Sequence, residues 1–158
     1  MRTIYLEGPL AHAPDGHEWR ERFEAELSGD YEIINPLKSV GDFRKVLNEL
    51  RATWPKLEAQ TEFRDIMSTV IDGDLVDVRR ADIEVAYLPK EPRAFGTICG
   101  LFYFKRVLGK SPSVLITDRT IPELNNWELA LSDYIVNSFD EAITLLRKLS
   151  ISEHMAGR

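Results

Sequence analysis

Cysteine is nearly absent from this chain. Cys99 is the single one in 158 residues, so no internal disulfide can form, and this usage fits a reducing compartment. Long apolar runs are also missing. None approaches the roughly 20 residues of a membrane span. The opening MRTIYLEGP passes straight into a strand pattern without the apolar core of a signal peptide. These absences predict a cytoplasmic protein with no membrane partner. There is no basic surplus either. The formal net charge is −6, which argues against polymeric nucleic acid as a partner, because such binders carry a basic face. A mononucleotide ligand needs only a few local donors and stays allowed. No His/Cys/Asp spacing supports a metal site, and neither a metal nor a cofactor is expected. Repeats, linkers and low-complexity segments are absent.

What remains is ordinary globular composition, 44% hydrophobic and 29% charged. A chain of this length makes one domain that buries roughly 70% of its unfolded surface. Residues 1–149 form that domain and 150–158 a polar, frayed tail. Thr3 to Leu6 reads as a strand ended by Gly8-Pro9. Trp19, Phe23 and Leu27 recur every four residues on a helix. Tyr31 to Asn35 is the second strand, and 37–60 a helical insertion over a sheet edge. Phe63 to Val78 is a helix with a break or kink expected at Gly73. Residues 83–88 form the third strand and 97–108 an unusually apolar helix. Val114 to Thr117 is the fourth strand, 122–132 a loop with a short helix, and Ile135-Val136 the fifth strand. Ser138 caps a last helix with Glu141 as its capping-box partner, running to Leu149. Strands alternating with helices give a single α/β domain, a five-stranded and mostly parallel sheet with helices on both faces.

The stretch from Asp74 to Gly109 organises this pattern. Ile83, Val85, Ala86, Tyr87 and Leu88 read as a buried strand stopped by Pro89, and Gly96-Thr97 open a helix at its C-terminal end. Ligands of open α/β sheets bind outside such strand ends, and a helix N-terminus there offers N–H groups to an anion. A site is therefore expected near residues 89–100.

Five segments then match one family in order: IYLEGP at 4–9, NPL at 35–37, DGDLVDVRRADIEVAYLP at 72–89, FGTICGLFYFKRVLGK at 95–110 and NNWELALSDYIVNSFDEAI at 125–143. The chain resembles the nucleoside 2-deoxyribosyltransferase-like family, including its nucleotide N-hydrolase relatives. The resemblance implies a flavodoxin-like sheet, and a ligand made of a base joined to deoxyribose, with or without a 5′-phosphate. It implies cleavage of the N-glycosidic bond through a carboxylate on the helix after the third strand, and transfer of the sugar to another base or to water. It also implies a homo-oligomer whose pocket is completed by a neighbouring subunit. A carboxylate suits this chemistry because breaking the bond builds positive charge on the sugar ring.

The pattern S-x-G-T-x-x-E around the family nucleophile is broken here. Ala94 stands for the serine and Gly100 for the glutamate, with no carboxylate between Pro92 and Leu108. Drift or repurposing weighs above a relocated nucleophile on sequence alone. The alternative to an enzyme is thus a catalytically degenerate nucleotide-binding protein, acting as sensor, regulator or structural subunit. Restoring the acid by Gly100→Glu is expected to create activity if the rest of the pocket is intact.

Asp74 matches the family aspartate facing the base or sugar and is the base-side acid candidate. Tyr5, Glu7 and Gly8 end the first strand. Glu7 either puts a carboxylate in the pocket or is a strand-end surface charge, the plainer reading, while Gly8 lets backbone approach the ligand. Asp82 is either a binding residue or a turn residue before the strand. Arg93 is either a phosphate fork or an exposed loop arginine. Gly96 and Thr97 are placed at the ligand by the motif. Asn125 stands where the family has an asparagine reaching into a pocket, often a neighbour's. Trp127 reads as core packing and Cys99 as a small buried hydrophobe. His12 and His17 flank a loop able to close over a ligand.

Overall fold

The apolar runs become strands and the amphipathic stretches become helices in the computed structural model, which describes residues 1–9, 17–39, 43–91 and 94–156. The order is β1 (Arg2–Glu7), α1 (Glu18–Leu27), β2 (Tyr31–Ile34), α2 (Pro36–Ser39), α3 (Arg44–Ala52), α4 (Leu57–Arg80), β3 (Ile83–Tyr87), α5 (Phe95–Phe102), β4 (Ser113–Ile116), α6 (Asn126–Leu131), β5 (Tyr134–Val136) and α7 (Phe139–Ala156). The strands form one parallel sheet in the order β2-β1-β3-β4-β5. The expected flavodoxin-like arrangement is present. The chain leaves β1 toward β2, then returns to the other side for β3. The C-terminal ends of β1 and β3 therefore flank the crevice where strand order reverses.

Strand alternation sorts the side chains. Ile4, Leu6, Ile83, Val85, Val114 and Ile116 point to one face, where α1 (Trp19, Phe23, Leu27) and α7 (Ala142, Ile143, Leu146) cover them. Each fully buried side chain of this kind contributes roughly 1.5–3 kcal/mol relative to exposure. Tyr5 and Ile34 face the other way, onto Val78 of α4 and Phe104, while Ala86 and Leu115 meet Leu101 of α5 and Leu131 of α6. Period 2 then places Glu7 and Glu84 on this second face as well. The sheet thus carries two glutamates into the layer beneath α4 and α5.

Four expectations change. The helix expected over 63–78 with a break is one uninterrupted helix from Leu57 to Arg80. One interior glycine costs only about 1 kcal/mol, too little to break a 24-residue helix held by its neighbours. The uncertain insertion resolves into α2, α3 and the first turns of α4, with Trp54 edge-on to Phe63. The apolar helix over 97–108 is α5 followed by a π-helical turn, Tyr103–Val107. The last helix does not end at Leu149 but continues to Ala156, because Ser150 is still buried and draws the next turns along. No helix among the described residues is long and apolar enough to cross a membrane.

Candidate active site

Glu7 is the last residue of β1 and projects under α5 toward Gly100. A Cβ built on Gly100 falls inside the Glu7 carboxyl group, meeting Oε1, Oε2 and Cδ together. The carboxyl occupies the space a side chain at position 100 would fill, so any larger residue there must displace it. Glu7 is half-buried as a residue, but its Oε2 is shut off from solvent and meets no hydrogen-bond donor. The strand-end surface charge, the plainer reading of the sequence, is corrected: strand alternation turns the side chain inward.

Glu84 lies beside it on β3, fully buried. Tyr5 and Glu84 are register partners, as are Glu7 and Ala86. Among the described residues, neither oxygen of Glu84 meets an N–H or O–H donor. The polar group it faces is the Glu7 carboxyl, and two carboxyls can bond only if one keeps a proton. Burial, then the hydrogen bond and charge of Glu84, push the Glu7 carboxyl well above the usual carboxylate range. Burial pushes Glu84 up to about 7, with the hydrogen bond to Glu7 acting in the opposite direction. The pair thus retains a proton near neutral pH, like other carboxylates that share one site. Sequence reading missed Glu84. Its signal was there, one acid inside an otherwise apolar strand.

Asp74 reaches the same crevice from α4. The Tyr5 hydroxyl donates to its Oδ1 at 3.1 Å. Burial raises the Asp74 pKa, while the Tyr5 hydrogen bond and the Arg20 charge act against it. Arg20 is a second group that sequence reading missed. It is fully buried on α1, and its Nη2 donates to the Gly8 carbonyl at 2.9 Å. Its guanidinium ties down the turn after β1 and sets a positive charge behind the acids. Tyr5, Glu7, Asp74, Glu84 and Arg20 are therefore assembled at one place.

The other expected residues fall elsewhere. A Cβ on Gly8 would crowd the Trp19 ring and the Tyr87 carbonyl oxygen and Cβ at 3.1–3.3 Å, so this glycine allows close packing there. Asp82 precedes β3, where it accepts the Thr3 N–H at 2.9 Å. That is the N-terminal end of the sheet, about four residues or ~13 Å along the strands from Glu7, so Asp82 is a turn residue and not part of the crevice. Gly96 is exposed and Thr97 buried in the first turn of α5, which has no side-chain cap. Arg93 and His12 lie outside the described residues, while His17 is exposed just before α1. Cys99 is exposed and not buried, since it sits on the outer side of α5.

A cavity of about 240 Å³ opens where α5 begins, lined by Leu88, Pro89, Phe95, Arg119, Asn125 and Glu128. Arg119 holds Glu128 with a two-pronged ion pair at 2.9 and 3.2 Å. Asn125 caps α6, its Oδ1 accepting the N–H groups of Trp127 and Glu128, and Glu128 returns a bond from the Asn125 N–H at 2.8 Å. Asn125 thus both caps the helix and borders the cavity. Glu7 is not among the residues lining it; the charge cluster and the cavity lie to either side of α5. Trp127 is 63% exposed, not core, and its ring rests on Phe102. Among the described residues no group of three or more His, Cys, Asp or Glu is placed to hold a metal ion.

The five-stranded parallel sheet with helices on both faces and a crevice at the ends of β1 and β3 is a flavodoxin-like fold. The chain is similar to the 2-deoxyribosyltransferase of the psychrotolerant bacterium Bacillus psychrosaccharolyticus, with a TM-score of 0.59 and 17% identity over 89% of this chain and 90% of that one. At this identity the likeness establishes architecture alone. No family model and no curated protein matches the chain.

Proposed function

We propose that this protein cleaves or exchanges the N-glycosidic bond of a 2′-deoxynucleoside or its 5′-monophosphate, with Glu7 in place of the missing glutamate. The observation that carries this reading is the Glu7 carboxyl filling the space at Gly100. An acid is supplied from β1 at the point on α5 where the motif calls for one. In this reading the ionised Glu7 stabilises or captures C1′ of the deoxyribose as the bond to the base breaks. Asp74, raised by burial and held by Tyr5, gives its proton to the leaving base. Water or a second base then takes the sugar and releases Glu7.

The test is incubation with a panel of 2′-deoxynucleosides and 5′-monophosphates, read for free base by chromatography and for binding by thermal shift. Base release is expected, and Asp74→Asn is expected to abolish it with the fold intact. Binding without release would make the protein a nucleotide binder and sink the enzymatic reading.

The pocket is completed in this reading by a second copy. Phe95, Phe102, Val107 and Trp127 leave an apolar surface on α5, the π-helical turn and α6, with Phe95 78% exposed. Surfaces of this kind mark interfaces. Sedimentation is expected to give a mass above the monomer's 18.1 kDa; a monomeric mass removes the second copy.

A further inference from the structure

We propose that Glu84 is the proton-holding partner of Glu7: it takes the proton from the Glu7 carboxyl, leaving Glu7 as the carboxylate that faces the sugar. The inference rests on the functional reading for the word sugar, but the proton pairing stands on geometry. Glu84 has no exposed surface, both of its oxygens lack a donor, and Tyr5 is its register partner on β1. An ionised carboxylate sealed in this way without a donor is strongly disfavoured. The carboxyl of Glu7, the next residue after Tyr5 on that face of β1, faces it from one side, and Ser113 on β4, its register partner on the other, spends its hydroxyl hydrogen on the Leu131 carbonyl. A shared proton satisfies both.

The charges around the pair set the direction of transfer. Asp74 on α4 and Cys99 on α5 act on Glu7 to keep it protonated, as does Glu84 itself. Arg20 on α1 feels the charges of Tyr5, Glu7 and Asp74. Glu7 is half-buried as a residue, whereas Glu84 is fully buried. Positive charge developing in the crevice therefore draws the negative charge onto Glu7, and the proton crosses to Glu84. No atom is lost in this step: one O–H bond breaks on Glu7 and one forms on Glu84. Glu84 touches no substrate and is a positioning residue.

The test has two readouts. Glutamate carboxyl carbons, labelled with carbon-13, are titrated by NMR in the parent, Glu84→Gln and Glu7→Gln proteins. In the parent, both carboxyls should titrate as a coupled pair, with one step near or above neutrality. In Glu84→Gln the new amide donates to Glu7 without needing a proton, so the Glu7 midpoint should fall by about one pH unit or more. Glu7→Gln should replace the coupled pair by a single Glu84 step, which keeps the test open if one variant does not fold. The second readout is the pH–rate profile. The acidic limb should move down in Glu84→Gln with the plateau rate kept within about tenfold, and Glu84→Ala should lose that plateau. An ordinary midpoint for Glu84, or a Glu7 midpoint unmoved by Glu84→Gln, overturns the proposal. Coupled titration in a protein that releases no base overturns the enzymatic reading and leaves the pairing in place.

Discussion

A Gly100→Glu variant is expected to lose stability and to gain no activity. The sequence motif alone suggests the opposite, since it restores the acid that the family pattern calls for. The structure changes the expectation because that space is taken: the new Cβ would fall within the Glu7 carboxyl. Overpacking of this kind costs about 1–3 kcal/mol, against a gain of only about 0.5 kcal/mol from replacing a helical glycine. A third carboxyl beside Glu7 and Glu84 adds repulsion. The net loss is expected to be about 2 kcal/mol, read by urea unfolding. Glu7→Ala alone should keep the fold and lower base release by about 10³-fold or more. The exchange of both, Glu7→Ala with Gly100→Glu, should recover the stability lost by Gly100→Glu and restore base release well above Glu7→Ala. If Gly100→Glu by itself proves as stable as the parent, the two positions do not compete for one space. If the double variant folds but stays as inactive as Glu7→Ala, an acid on α5 cannot substitute for one on β1.

The contrast between those two expectations locates what a sequence can carry. The strands were legible because short apolar runs such as Ile83–Tyr87 are bounded by turn residues, and alternation with helices made the sheet parallel, while its flavodoxin-like order was implied by the family resemblance alone. Tyr5, Glu7 and Asp74 were legible as candidates because ordered motifs put them at strand and helix ends. The contact between Glu7 and Gly100 was not legible, because it joins residues far apart in the chain through one rotamer. Glu84 was hidden by its surroundings. A run of strand formers reads as apolar, and the single acid within it is easily passed over. Trp127 was misplaced for a related reason: periodicity shows an apolar face but not whether anything covers it. Asp82 matched a motif and still belongs to the opposite end of the sheet, where it serves the Thr3 backbone. A motif match does not separate a residue that does chemistry from one that holds a turn.

The buried acids also predict an acid-shifted stability optimum. Burial raises Glu84 to about 7 from 4.5, and it raises Glu7 and Asp74 in the same direction. A raised carboxyl holds a proton in the folded chain that the unfolded chain has already released. Its contribution is therefore fully present below the unfolded value near 4.5 and is lost as pH climbs toward the folded value. One retained proton makes the slope approach about 1.4 kcal/mol per pH unit in that window. Two groups act in the opposite sense at lower pH. The Thr120 N–H and Lys90 hold exposed Glu123 at about 2, and Asp133 is pushed up by burial but held below its usual range by Lys105 and the Ser113 N–H. Their contributions fade only as pH falls below the ordinary carboxylate range. Stability should peak near the lower end of the window, on the acid side of the common optimum of about pH 5–8. Urea unfolding of the parent between pH 4.5 and 7.5 should show a steady decline, and Glu84→Gln should flatten it, because the amide donates to Glu7 without binding a proton. Parallel pH profiles for parent and variant would mean that no shared proton is tied to folding, and the stability of this site would have to come from its packing alone.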